Sequence, residues 1–244
     1  MNGHIYNPYY IFWSRIISML IWPFYFFCNL SRKSYSINNI NINSILICQY
    51  HRIGDVFIIA PVLQSLKKRY PQAHIILLCC QSAEQLSQDL KFADEVIGVE
   101  VPWTNWNWSL IKWIKARSFA RHFRKRDIDI AIDFKGDLRN SWFLWHAQSK
   151  ISLGYTDTGG SFFYTHPQPS PKGLHQTERS LRLISHLGCD SIVSNEKKIN
   201  FKDQGAIVFH AGGNDSRRIW PENRWIKLAE ILSKNYEIAI VKTL

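Results

Sequence analysis

From Ile45 onward, apolar runs of strand length alternate with longer segments whose apolar residues recur at helical spacing. The strand-like runs are residues 45–49, 74–80, 95–99 and 128–133, with 151–154 as a fifth. Between them, residues 56–69, 82–90, 109–125 and 138–147 carry the helical pattern. This alternation predicts βαβ units on a parallel sheet, hence an α/β fold with a Rossmann-like first domain and helices on both faces.

The pattern weakens from Gly159 to Lys172, where Gly, Pro, Ser and aromatic residues dominate. Helical spacing resumes from His175 to Leu187 and stops at Gly188, a natural residue just past a helix end. A new unit opens with the strand AIVFH at 206–210, the loop AGGNDSRRIW, a helix with Pro221 in its first turn, and the strand YEIAIV. The boundaries read as an extension and linker (1–43), a sheet domain (44–172), an interdomain helix and linker (173–204) and the start of a second domain (205–244). An α/β domain needs on the order of 100 to 150 residues. Only 40 follow Gln204, so the second domain is expected to be barely begun.

Residues 9–30, YYIFWSRIISMLIWPFYFFCNL, break the pattern altogether. They hold one charge, Arg15, and one proline, Pro23, and Arg32-Lys33 follow. A basic leader and a small-residue cleavage site are missing, and the longest uncharged run, Ile16 to Leu30, is short for a span. A helix lying in a membrane interface, with Trp and Tyr at headgroup level, is the reading favoured over one docked on the protein's own surface.

Composition narrows the class. With 46% hydrophobic and 14% aromatic residues, a packed core is expected and disorder is not the leading reading. Thirty Lys and Arg against nineteen Asp and Glu give +11, which fits an anionic partner: nucleic acid, lipid headgroups or a phosphorylated acceptor. The five cysteines form no CxxC pair, and Cys48, Cys79 and Cys80 lie in apolar runs, so reduced thiols in a cytoplasmic protein are expected, without a metal site. Asp127-Ile128-Asp129 could pass for a metal-binding DxD, but the alternation of Ile128, Ile130 and Ile132 makes it the start of a strand with solvated carboxylates. The segment 103–126 interleaves Trp103, Trp106, Trp108 and Trp113 with seven Lys and Arg. It suits a lipid surface better than a nucleic acid, beside the equally weighted reading of core tryptophans and a solvated basic face.

Candidate chemistry centres on His51-Arg52-Ile53-Gly54-Asp55, where the first strand gives way to a helix. Asp55 is placed either to cap that helix or to face a ligand at the carboxyl ends of the strands. A cap explains neither Gly54, which allows a sharp turn or close approach of a ligand, nor Pro61 inside the helical pattern. The chain contains neither GxGxxG nor GxxxxGK[ST], so dinucleotide and P-loop readings lose their main support.

Arg52-Ile53-Gly54-Asp55 with Ala60-Pro61-Val62-Leu63 and Lys67-Lys68-Arg69-Tyr70-Pro71 resembles the opening motif of glycosyltransferase family 9, the lipopolysaccharide heptosyltransferases. Asp133-Phe134-Lys135-Gly136 with Leu138-Arg139-Asn140-Ser141 is similar to that family's second motif. His175 with Glu178-Arg179 resembles its interdomain helix, and His210-Ala211-Gly212-Gly213 with Arg218-Ile219-Trp220-Pro221 its phosphate-facing loop. The resemblance implies a GT-B fold, with the acceptor bound by the first domain and a nucleotide sugar by the second. It implies an inverting, metal-independent transfer. The resulting expectation is transfer without cofactor from a donor such as ADP-heptose to an anionic glycolipid, and the apolar N-terminal segment and the aromatic-basic segment add a peripheral place on the cytoplasmic membrane face.

Asp55 is then the general base, with Arg52, Gly54, Lys135, Gly136 and Arg139 on the acceptor side. Gly212, Gly213, Arg218 and Trp220 face the donor's phosphates, Arg218 standing where the family usually carries lysine. The family's distal acidic, glycine and histidine motif has no counterpart before Leu244. A non-catalytic, membrane-associated acceptor-binding protein is the alternative expectation.

Overall fold

The structure, a computed structural model, describes residues 7–33, 35–104, 109–190, 206–212 and 219–241. It forms two compact units, residues 1–194 and 195–244.

The first unit is built on a six-stranded sheet: β1 (Ser44–Gln49), β2 (His74–Cys79), β3 (Glu95–Gly98), β4 (Ile130–Asp133), β5 (Ile151–Tyr155) and β6 (His166–Gln168). All neighbours pair parallel, in the order β3-β2-β1-β4-β5-β6. The predicted strands are present, though β4 begins two residues later than expected, and β6 was not anticipated. Pro167 sits in that short edge strand, where a missing N–H costs nothing.

The helices are α1 (Pro8–Asn29), α2 (Ile53–Ile58), α3 (Ala60–Arg69), α4 (Gln81–Asp89), α5 (Leu110–His122), α6 (Leu138–Ala147) and α7 (Gln176–Ser185). Alternate residues of β1 serve opposite layers. Ile45 and Ile47 join the core beneath α2, α3 and α7, whereas Leu46 and Cys48 pack with Ala120, Phe143 and Leu144 of α5 and α6. Burial on both sides explains why β1 reads as a continuous apolar run. Each such side chain contributes about 1.5–3 kcal/mol.

The single helix expected over 56–69 is two helices. Pro61 has no N–H to continue the ladder, so the chain breaks at Ile59 and restarts with Pro61 in the first turn of α3. Asp129 also departs from expectation. It is buried and accepts bonds from the N–H groups of Asn43 (2.7 Å) and Ser44 (3.0 Å) and from Lys150 Nζ (2.8 Å), tying β1 to β4.

α1 lies on the first unit. Asn7 caps it by accepting from Tyr9 N–H at 2.9 Å. Ser18 Oγ accepts from Gly160 N–H at 2.8 Å, Asn29 donates to the Phe162 carbonyl at 2.7 Å, and Trp145 donates back to Asn29 at 2.8 Å. Tyr25 packs edge-on against Trp145 and Phe163, at 4.9 and 4.7 Å. Of the aromatic-basic segment, Trp103 is a core residue that donates to Asn140 at 2.8 Å; Trp106 and Trp108 lie outside the described residues.

The second unit contains the parallel pair β7 (Ile207–His210) and β8 (Ile238–Val241), joined through α8 (Glu222–Leu232). Phe209 is buried against Trp225, 5.1 Å between rings.

Candidate functional site

The chain leaves β1 in one direction to build β2 and β3, then returns to the other side of β1 to build β4, β5 and β6. The order therefore reverses between β1 and β4. In open parallel sheets the crevice at that reversal, outside the carboxyl ends of the strands, is where ligands bind. The loop after β1 carries His51 to Asp55, and the loop after β4 carries Phe134 to Asp137.

Asp55 is not the cap of α2. Arg52 occupies that position in extended conformation and makes no side-chain cap bond. Asp55 lies in the first turn, its carbonyl accepting from Gln49 Nε2 at 3.0 Å, and its carboxylate points instead to Lys135, with Oδ1 3.0 Å from Nζ. The Lys135 ammonium is almost wholly buried, at 6% side-chain exposure, while the Asp55 carboxylate keeps 20%. Burial pulls the Lys135 amine below its ordinary range, and the Asp55 charge partly offsets this.

The amide of Gln176, in the orientation that satisfies both neighbours, donates to Asp55 Oδ1 at 3.2 Å and accepts from Lys135 Nζ at 2.7 Å. The first turn of α7 is clamped here: Thr177 donates to the Ile58 carbonyl at 3.3 Å. Arg179 donates to the Phe134 carbonyl at 3.0 Å, pairs with Asp157 and lies over the Tyr155 ring at 4.2 Å.

The β4 loop is held from within. Asp133 is buried and accepts from the N–H groups of Lys135 (3.0 Å) and Gly136 (3.1 Å), Asn140 Nδ2 (3.0 Å) and Tyr164 OH (2.8 Å). Burial raises its carboxyl against the opposing effect of these bonds. Gly136 has φ +69°, and a Cβ there would meet the Tyr155 carbonyl oxygen at 2.8 Å, so only glycine fits. Gly54 is different. It is exposed in the first turn of α2, its φ is not left-handed, and a Cβ would meet nothing within 4 Å. The sharp turn expected of it is absent, and open space lies beside Asp55.

Asp137 caps α6, accepting from Arg139 N–H at 2.8 Å and from the guanidinium at 2.8 and 2.6 Å. Burial raises its carboxyl, but these bonds outweigh burial and hold it below the usual range. Tyr10 of α1 donates to Asp137 at 3.3 Å, and Arg139 lies over the Tyr10 ring at 4.9 Å. Arg139 also borders an apolar cavity of about 520 Å³, walled by Trp13, Ile17, Trp113 and Trp142. His51 sits among these charges. Burial first, then Lys135, lowers its imidazole to about 4, and among the described residues its buried Nδ1 has no partner.

The structure thus brings together Asp55, Lys135, Gly136 and Arg139, with Arg52 and Gly54 exposed alongside. His51, Gln176, Asp157 and Tyr10 were not foreseen as part of it. Of the donor-side set, Gly212 follows β7 and Trp220 precedes α8, stacking edge-on with Trp225 at 5.2 Å; Gly213 and Arg218 lie outside the described residues. Ala211, Trp220, Trp225 and Ile240 line a groove of about 640 Å³ in the second unit.

The glycosyltransferase family 9 (heptosyltransferase) model matches residues 116–242, just over half of the chain. Among solved structures, Escherichia coli heptosyltransferase WaaC with ADP-2-deoxy-2-fluoro heptose is similar at 20% identity and TM-score 0.66, over 82% of this chain and 69% of that one. A family 9 glycosyltransferase from Veillonella parvula DSM 2008 gives 19% and 0.66, over 85% and 64%. E. coli ADP-heptose lps heptosyltransferase II gives 15% and 0.60, over 81% and 63%. The chain spans roughly two thirds of the length of these structures. No curated protein matches it. The parallel sheet with its flanking helices is that of the GT-B glycosyltransferases, and the chain belongs to glycosyltransferase family 9, the heptosyltransferases.

Proposed function

We propose that this chain transfers heptose from a nucleotide-sugar donor, ADP-heptose, to an anionic lipopolysaccharide-core or other lipid-linked glycan acceptor. The observation that carries the reading is the Asp55 carboxylate at the reversal between β1 and β4, paired with buried Lys135 and still open on one side. The donor assignment draws on the WaaC structures, solved with ADP and with a fluorinated ADP-heptose.

In the proposed reaction an acceptor hydroxyl attacks the anomeric carbon from the face opposite the diphosphate. The new carbon–oxygen bond forms as the bond to the diphosphate oxygen breaks, inverting the configuration, and the hydroxyl proton passes to Asp55. Lys135 and Gln176 hold the carboxylate in place, and Arg52 supplies positive charge for an anionic acceptor, with Arg139, paired with Asp137, bordering the acceptor side. On the donor side, this reading assigns Gly212, Gly213, Arg218 and Trp220 to the departing diphosphate, backbone N–H groups and a guanidinium being suited to phosphate oxygens. This reading assigns no step to a metal.

The test is release of ADP and heptosylation of an anionic glycolipid by the chain, with and without a chelator. Transfer is expected to survive chelation and to invert the anomeric centre, and Asp55→Ala is expected to lower it by about a thousandfold. Unchanged transfer by Asp55→Ala would return Asp55 to a structural role, and acceptor binding without any transfer would favour a non-catalytic binding protein.

A further inference from the structure

α1 reverses the usual arrangement of a surface helix. Its buried residues are Ser14 and Ser18, and polar groups from Tyr10 to Asn29 bond it to the first unit along nearly its whole length. Its outer side carries Phe12, Leu20, Phe24 and Phe27, between 60% and 75% exposed. Monomeric soluble proteins rarely expose so large an apolar patch without a use for it.

A second exposed apolar set lies on α5. Leu110, Ile111 and Ile114 are exposed in its first turns, with Lys112, Lys115 and Arg117 exposed among them. Trp113 of α5 shares the cavity beside Arg139 with Trp13 and Ile17 of α1, which places the two helices side by side. From Trp103 to Arg126 the chain contains seven Lys and Arg and neither Asp nor Glu.

α1 is long and apolar enough to cross a membrane by composition. Crossing would strip away the bonds of Tyr10, Ser18 and Asn29, and that of Arg15 to the Asp157 carbonyl at 3.1 Å. A second copy of a chain with charge +11 would bring like charges face to face. An anionic lipid surface meets both features, apolar side chains entering the acyl boundary and cations at the headgroups.

We propose that the outer face of α1 and the first turns of α5 form one surface that lies flat on an anionic bilayer. This sets the Arg139 end of the crevice beside the lipid. The surface is independent of whether the chain transfers a sugar.

The experiment is co-sedimentation of the chain with phosphatidylglycerol or phosphatidylcholine vesicles, without nucleotide or acceptor. Binding is expected on phosphatidylglycerol, weakened by salt, and lowered roughly tenfold or more by Phe12→Ser/Leu20→Ser/Phe27→Ser or by Lys112→Glu/Lys115→Glu/Arg117→Glu. Both variants change exposed positions, and unchanged melting shows that they remain folded. In a Cys28→Ser background, environment-sensitive dyes at Phe12→Cys, Leu20→Cys and Phe27→Cys are expected to shift to the blue together on vesicles, while one at Lys91→Cys does not. Three outcomes would overturn the proposal: no sedimentation with either vesicle, a blue shift confined to one end of α1, or self-association in free solution that the apolar variant abolishes.

Discussion

Two carboxylates stand at the ends of adjacent central strands, and they are used in opposite ways. Asp133, the last residue of β4, is fully buried and receives bonds from two backbone N–H groups, one amide and one phenol, all from its own unit. Asp55, just beyond β1, receives only Lys135 and Gln176 among the described residues and keeps a fifth of its side-chain surface open. A carboxylate whose acceptor sites are filled by its own fold is holding a loop in shape. One partly filled, at the reversal of a parallel sheet, has capacity left for a ligand.

The largest effect on stability should come from Asp133→Ala, which removes an acceptor shared by four donors. At about 1–3 kcal/mol for each buried group left unmade, the loss is on the order of 4 kcal/mol or more, a fall in melting temperature of roughly 10 °C. Calorimetry showing less than a few degrees would make Asp133 dispensable and dissolve the contrast. Next comes Gly136→Ala, which forces a left-handed φ and a clash onto the same loop and should cost about 1–3 kcal/mol in urea unfolding.

The pH dependence is smaller. The unfolded His51 takes up a proton near pH 6.5, whereas the folded one does so only near 4. The folded state is therefore at its full advantage above 6.5 and loses stability as pH falls towards 4. His146, lowered to about 3 by burial, contributes in the same direction. Melting curves between pH 7 and 4.5 should show this decline, and His51→Gln should flatten part of it; an unchanged slope would place His51 outside the buried charge cluster. The smallest effect is expected for Gly54→Ala. In open space at a helix start its melting point should move by less than about 2 °C, upward if at all, while transfer slows as the methyl group enters the space beside Asp55. A large loss of stability would mean that Gly54 serves the fold, as Gly136 does.

Much of the sheet was legible because β1, β2, β4 and β5 are buried and apolar, and the helices between them repeat at helical spacing. Asp55 stood out because it interrupts that regularity at a strand end, and Lys135 because its segment resembles the second motif of family 9. Their partners did not. Gln176 lies more than a hundred residues from Asp55, and Tyr10 lies 127 from Asp137, pairings that no local period records. β6 escaped notice because three residues containing a proline carry too little pattern. The side on which α1 docks was obscured for another reason: the helix is apolar almost all round, and a few scattered polar residues, Tyr10, Ser14, Arg15, Ser18 and Asn29, mark the inner stripe.

The central claim is that the Asp55 carboxylate accepts the acceptor's proton, and chemical rescue tests it most directly. Heptose transfer by Asp55→Ala would be followed as formate is added, a small carboxylate able to enter the space left by the missing side chain. The account predicts transfer that is nearly lost without formate and rises with its concentration, while the unaltered chain does not respond. Transfer by Asp55→Ala at the unaltered rate, with or without formate, would contradict it.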